Sequence, residues 1–434
     1  MRRGAGRAED GEAAMPSAFR PVPQTGVIYV TEQARRLGYR QGAPGWVNLG
    51  QGQPETGPLP GAPARRQAVE FDLADCEYAP TAGLEALREA VAEHYNALYR
   101  QGKRSRYTAA NVCISGGGRI ALARAAAALG SIHVGHFLPD YTAYEELLEI
   151  FRLFTAIPIA LERHRGYEFT IEELRRAIRN LGLGALLLSN PCNPTGKLLY
   201  GEELAGWVAA AREFECALLV DEYYSHYIWE PAALRAGPTV SAAAYVEDVE
   251  REDVLIFDGL TKNWRYPGWR VGWVLGPSRR IEAMASAASF LDGGASRPMQ
   301  RAALELLDLE HTLAETRAIQ QRFAAKRAYM LERLRALGVQ FEREPEGTFY
   351  CWGSVAALPP PLDTGFGLFR QALQRQVIVV PGLFFDVNPG KRRPSHRSHF
   401  GAHVRFSFGP PPEELERGLA VLEQLVREHG GEVG

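Results

Sequence analysis

Cysteine is scarce in this chain, and its spacing is uninformative for a metal or a disulfide framework. Cys76, Cys113, Cys192, Cys216 and Cys351 stand singly among 434 residues. No two have metal-ligand spacing, and the odd number argues against a disulfide scaffold. They read as small buried hydrophobes in a reducing cytoplasm. Long apolar runs are missing too: none reaches the ~20 residues of a membrane helix. The opening Met1-Arg2-Arg3-Gly4-Ala5-Gly6-Arg7 is basic, but it runs into Glu9, Asp10 and Glu12 with no apolar block. That is not the pattern of a signal peptide. Charge imbalance is absent as well. Lys and Arg number 49 against 51 Asp and Glu, a formal charge of −2. No electrostatic case exists for nucleic acid or an anionic membrane as partner.

What remains is ordinary globular composition, 46% hydrophobic and 23% charged, with length enough for two domains. Residues 1–20 read as a disordered extension. Residues 21–65 form an arm, rich in Gly and Pro from Gly42 to Pro63. Helix and strand signals then alternate. Helical spacing of apolar residues runs over 84–100, 120–129, 141–151, 174–181 and 202–214, with Thr170 as the N-cap ahead of Glu173. Short apolar strands are expected at 112–115, 134–138, 185–189, 217–220, 254–257 and 271–275. Fully apolar strands separated by helices mean an α/β architecture with a mostly parallel sheet buried on both faces. In such sheets ligands bind outside the carboxyl ends of the strands.

After a long helix over 313–337, strands at 348–352, 377–380 and 404–408 alternate with helices at 366–374 and 412–426. This pattern predicts a smaller α+β domain over 311–434, following a large one over 66–310. Lys326, Arg327, Arg333 and Arg335 are assigned to a solvated face of the long helix. The basic stretch 388–403 reads as a mobile loop. Its histidines, His396, His399 and His403, lack a nearby carboxylate and a firm element, so no metal site is assigned.

The chemistry-bearing residues collect at the ends of the apolar strands. Lys262 follows Ile256-Phe257-Asp258-Gly259-Leu260-Thr261, and Arg270 lies downstream in Gly268-Trp269-Arg270-Val271-Gly272. Such a lysine can condense with an aldehyde cofactor as a Schiff base, while the arginine grips a phosphate through a forked pair of hydrogen bonds. Asp221 ends the run Ala217-Leu218-Leu219-Val220. A carboxylate buried there needs a cationic partner, and a protonated pyridine nitrogen is one. Asn193, in Asn193-Pro194-Thr195-Gly196, and Tyr224, in Asp221-Glu222-Tyr223-Tyr224, can both donate to a ring phenolate oxygen. Gly116-Gly117-Gly118-Arg119 joins a strand to a helix and turns its N–H groups toward an anion. Tyr141 can stack on a ring face. Arg405, alternating with apolar neighbours in His403-Val404-Arg405-Phe406-Ser407, suits a substrate carboxylate.

Together these motifs resemble the aspartate-aminotransferase superfamily, the fold-type-I pyridoxal-phosphate enzymes of class I/II, from about Val47 to the C-terminus. The resemblance implies a mixed, mostly parallel seven-stranded-type sheet in a large pyridoxal-phosphate domain. It implies transfer of an amino group between an amino acid and a 2-oxo acid. Lys262 would be the Schiff-base lysine and proton shuttle, and Asp221 the partner of the pyridine nitrogen. Asn193 and Tyr224 would meet the phenolate oxygen and Tyr141 the ring face. Gly117, Gly118, Arg119 and Arg270 would hold the phosphate. Arg405 would take the α-carboxylate, with Gly52 in the loop that closes over substrate. Tyr78 resembles the tyrosine that reaches the neighbouring subunit's phosphate, which implies a homodimer with shared active sites. The same apparatus also serves lyases and cyclases acting on amino acids. A regulator with a borrowed cofactor domain would need a DNA-binding segment, for which the residues before Val47 leave no room.

Two departures stand out. Many relatives carry a serine or threonine three residues before the lysine, its hydroxyl on the phosphate. This chain has Gly259 there, and Thr261 is the nearest replacement. Dicarboxylate-specific relatives carry an arginine where this chain reads Leu291-Asp292-Gly293-Gly294, with Arg297 out of register. Asp292 instead offers a carboxylate to a cationic substrate side chain.

Overall fold

The computed structural model describes Gln24, residues 26–151 and residues 153–434. The expected extension over 1–20 lies outside the described residues. Twelve strands are present among them: β1 (Val47–Asn48), β2 (Val112–Ser115), β3 (His133–Leu138), β4 (Thr155–Ala160), β5 (Leu183–Ser189), β6 (Ala217–Asp221), β7 (Val254–Gly259), β8 (Gly272–Leu275), β9 (Tyr350–Ser354), β10 (Val377–Ile378), β11 (Val380–Pro381) and β12 (His403–Ser407).

Seven of them form one sheet in the order β2-β8-β7-β6-β5-β3-β4. All neighbours run parallel except β8, which is antiparallel to both β2 and β7. The central strands β5, β6 and β7 are mostly apolar because helices cover both faces. Alternate residues of β6 show this. Leu219 joins a core with Ala121, Ala125, Ile281 and Met284, from the helices Gly118–Ala128 and Ser278–Leu291. Leu218 and Val220 join the opposite core with Leu87, Ile178 and Trp207, from the helices Glu85–Tyr99, Ile171–Leu181 and Gly201–Glu213. Thr170 caps its helix as expected, its hydroxyl accepting from the Glu173 N–H while Glu173 accepts from the Thr170 N–H. Edge strand β4 and the helices Gly26–Arg36 and Ser278–Leu291 are additional to the expected elements.

The C-terminal part carries an antiparallel sheet, β11-β12-β9. The run expected as one strand over 377–380 divides: β10 pairs with β1, and β11 pairs with β12. Val379 is the pivot, so the N-terminal arm is tied to this part of the chain.

Two polar assignments are corrected. Lys326 is not solvated. It is 3% exposed, and its ammonium donates to Glu55 Oε2 at 3.1 Å and to the carbonyls of Gly409 and Pro410. A carboxylate 271 residues away supplies the compensation that burial demands. His403 is not in a loop. It lies buried in β12 with Nε2 2.9 Å from Glu342 Oε1, so it has both a carboxylate and a firm element. The rest of 388–403 is fastened at several points. The Asn388 N–H donates to Glu145, Arg393 pairs with Asp386 at 2.6 Å, and Lys391 meets Glu145. No described helix is long and apolar enough to cross a membrane.

Candidate active site

Parallel alignment carries the ends of β5, β6 and β7 to one edge of the sheet, and a cavity of about 440 Å³ opens there. Its lining includes Gly52, Gly118, Arg119, Tyr141, Asn193, Asp221, Tyr224, Thr261, Lys262, Arg270 and Arg405. Segments separated by some 350 residues of sequence therefore converge. Gly117 adjoins the cavity at the turn into the helix Gly118–Ala128. Its φ is +99°, and a side chain there would collide with the Arg270 guanidinium. Glycine at this position lets the arginine approach the helix N-terminus, whose first N–H groups have no intrahelical partner. Tyr78 is not among the lining residues and is 93% exposed.

Lys262 stands at the centre. Its amine contacts the Gly52 carbonyl. Burial, reinforced by the charges of Arg405, Arg119 and Arg270, lowers its pKa to about 7. Asp221, the last residue of β6, accepts from the Tyr144 hydroxyl at 2.9 Å and from the Tyr223 N–H at 3.3 Å. Burial raises its pKa to about 6 against those two hydrogen bonds. Among the described residues no cation pairs with this carboxylate within 4 Å. A cationic ring nitrogen would supply what burial leaves missing.

Arg405 sits in β12 between Val380 and Trp352 and is 1% exposed. Its guanidinium donates to Asn193 Oδ1 at 2.9 Å and to the Gly50 carbonyl at 2.8 Å, and lies 4.0 Å from the centre of the Tyr350 ring. Its Nε is buried without a partner, as is the Thr261 hydroxyl. The Tyr224 hydroxyl is 2.9 Å from that of Tyr350. Arg119 donates through Nε and Nη2 to the Tyr141 hydroxyl, so its side chain is engaged at the tyrosine. Its Nη1 and its backbone N–H remain for an anion. The unpaired donors, glycine turn, buried carboxylate and deprotonable amine together fit a phosphorylated pyridine aldehyde.

Sequence reasoning missed Tyr144, Tyr223 and Tyr350 as site residues, because nothing adjacent in sequence marks where their hydroxyls point. Ser189 was missed for the same reason. Its hydroxyl donates to Asp140 at 2.5 Å and accepts from the Asn193 N–H at 3.1 Å, fixing the Asn193 turn. Asp292 is corrected. Both its carboxylate oxygens accept from Arg124, at 3.0 and 2.7 Å, and it is not part of the cavity lining, so it is a partner of Arg124 rather than of a cationic substrate. Arg297 pairs with Glu77.

Comparison with known proteins agrees with this geometry. Residues 44–422 match the family model "Aminotransferase class I and II". The chain is 28% identical to an aspartate aminotransferase of Streptomyces avermitilis, over 81% of this chain and 82% of that one. It is also 28% identical to an aspartate/prephenate aminotransferase of Thermus thermophilus, over 81% and 83% of the two chains. A solved structure of the aspartate aminotransferase from Thermus thermophilus with maleate superposes with a TM-score of 0.75 at 25% identity, covering 94% of this chain and all of that one. The chain belongs to the class I and II aminotransferase family, the fold-type-I enzymes that use pyridoxal phosphate.

Proposed function

We propose that the Lys262 cavity binds pyridoxal phosphate and exchanges an amino group between an amino acid and a 2-oxo acid. One observation carries this reading. A half-buried lysine and a buried aspartate, just past and at the ends of adjacent strands, line a single cavity, with three guanidinium groups acting on the amine. The cofactor supplies, when bound, an aldehyde that takes up amino groups and a ring that withdraws electrons from the carbon being deprotonated. Asp221 holds a proton at the ring nitrogen. Asn193 and Tyr224 meet the phenolate oxygen, and Tyr141 packs on the ring. Arg270, the Thr261 hydroxyl and the N–H groups from Gly117 to Arg119 take the phosphate. Lys262 Nζ accepts the α-proton of the donor and returns it when the exchange completes. Arg405 grips the α-carboxylate, and Gly52 helps to close the cavity against water.

Scanning the cofactor-loaded protein against the twenty amino acids tests the exchange. The expected result is that at least one bleaches the visible band, and that a 2-oxo acid restores it. Release of ammonia or a cyclic product with every active amino acid would overturn the reading.

Two outcomes follow for individual groups. Arg405→Lys keeps the charge but loses the planar fork, and is expected to raise the KM for the amino donor about tenfold to a hundredfold. Steady-state kinetics checks this. The lowered pKa of Lys262 makes its amine neutral above about pH 7 rather than above the usual 10.5. Only the neutral amine attacks an aldehyde. Covalent capture of pyridoxal phosphate by the apoenzyme should therefore quicken as pH rises to about 7 and then level off. Stopped-flow absorbance reads the profile.

The exposed Tyr78, with Phe71 and Leu73 exposed beside it in sequence, supports a homodimer in which Tyr78 serves the neighbouring site. Sedimentation of the purified protein measures the assembly. We retain the division into an arm (21–65), a large domain (66–310) and a small domain (311–434). The five unpaired cysteines support residence in the cytoplasm.

A further inference from the structure

Tyr223 has no role in the reading above, yet its hydroxyl is the most conspicuous loose end of the cavity. The residue lines the cavity and is 6% exposed, and its hydroxyl is buried with no hydrogen-bond partner. Leaving such a group unsatisfied is costly, so a ligand atom is the natural partner.

Its surroundings say which ligand. The phenol lies over the start of the helix Gly118–Ala128: a Cβ on Gly118 would stand 2.6 Å from Tyr223 Cε2 and 3.1 Å from its hydroxyl oxygen. The hydroxyl also lies against Gly272, and is 2.9 Å from where a Cβ on Gly259 would stand. Three glycines from three elements thus leave the space that one phenol fills. The Arg270 guanidinium is close enough to act electrostatically on the phenol and packs on the adjoining Gly117. An anion seated on this helix N-terminus would meet backbone N–H groups, a guanidinium and the phenol together.

Gly259 itself cannot carry a hydroxyl side chain here. It pairs with Gly272 across β7 and β8, and a Cβ would stand 2.5 Å from the Gly272 Cα and 2.6 Å from the Val271 carbonyl oxygen. The strands approach too closely for serine or threonine. We infer that the Tyr223 hydroxyl donates a hydrogen bond to the cofactor phosphate, occupying the place that a side-chain hydroxyl at position 259 would otherwise take. Burial holds the phenol well above its ordinary pKa, which keeps it a donor at neutral pH. Thr261 also has a buried hydroxyl without a partner, so it is the rival donor that the test has to separate from Tyr223.

The inference rests on the proposal that the phosphate lies at Gly117–Arg270, and the test separates the two. Apoenzyme of the wild type, Tyr223→Phe and Thr261→Val is titrated with pyridoxal phosphate and with pyridoxal, following fluorescence. The phosphorus-31 resonance of the bound cofactor is recorded alongside. Phenylalanine keeps the ring that fills the glycine-lined space, and circular dichroism verifies the fold. The expected result for Tyr223→Phe is about tenfold to a hundredfold weaker binding of pyridoxal phosphate, unchanged binding of pyridoxal, and a shifted phosphorus resonance. Unchanged affinity and resonance would overturn the role of Tyr223. So would the loss appearing in Thr261→Val and not in Tyr223→Phe. A wild type that binds both ligands equally would overturn the placement of the phosphate itself, and this inference with it.

Discussion

Lys262→Ala is expected to cut turnover by ~10⁴-fold or more, since it removes both a covalent anchor and the group that moves the proton. The visible band of covalently held cofactor should vanish with it. The surroundings of the amine make the effect specific. Lys262 is half-buried beside three arginines, and its charged form is disfavoured strongly enough to bring its pKa to about 7. A folded protein gains little from such a lysine, so alanine should leave the melting temperature unchanged or raised. Lys262→Arg gives the complementary control: the positive charge persists, the nucleophilic amine does not, and turnover should fall as far. Pyridoxal phosphate should still associate with both variants, held by Arg270 and the backbone N–H groups of the glycine turn. Dialysis, absorbance spectra and single-turnover assays measure these properties separately. Turnover within tenfold of the wild type in either variant would refute the assignment of the amine.

Lys262, Asp221 and Asn193 were legible because a parallel sheet makes its strand ends conspicuous. A single polar residue after a run of Leu and Val is more often a cap or an ion-pair partner, and it was the set of Asn193, Asp221, Tyr224 and Lys262 with matching roles that pointed to a ligand. The tyrosines were not legible. In the helix Tyr144–Ile150, Tyr144 occupies a core position by every pattern rule, and only the fold aims its hydroxyl at Asp221, 77 residues away. Tyr223 is hidden likewise between Glu222 and Tyr224, since its use depends on glycines at 118, 259 and 272. Lys326 misled for the opposite reason. A helix of 28 residues with many charges reads as solvated, and nothing near Lys326 in sequence announces Glu55. Strand β4 escaped because it lies at the sheet edge, has exposed residues and carries Pro158. Local periodicity thus recovers elements and their order. Contacts made across hundreds of residues decide which side chain is wet, paired or aimed at a ligand.

Asp221→Asn should lower turnover on the order of 10³-fold, which corresponds to about 4 kcal/mol of transition-state stabilisation. The amide oxygen can still accept from the Tyr223 N–H, and its NH2 can donate to the Tyr144 hydroxyl oxygen, so the shape is kept while the ability to hold a positive ring nitrogen is lost. The same substitution has the opposite effect on the empty fold. Burial raises the Asp221 pKa from 3.8 to about 6, so the folded protein favours the protonated acid. Its contribution to stability is then fully present below the unfolded value. It is lost as pH rises toward about 6, and at neutral pH the buried carboxylate costs the empty fold about 3 kcal/mol at most. Asparagine removes that penalty. Apoenzyme carrying Asp221→Asn should therefore melt higher than the wild type at pH 7.5 and by a smaller margin at pH 4.5, while its loaded form turns over poorly. A structural aspartate would behave the other way, losing stability on substitution. Parallel melting curves and kinetics distinguish a carboxylate kept for the fold from one kept for the cofactor, and the unpaired burial of Asp221 points to the second.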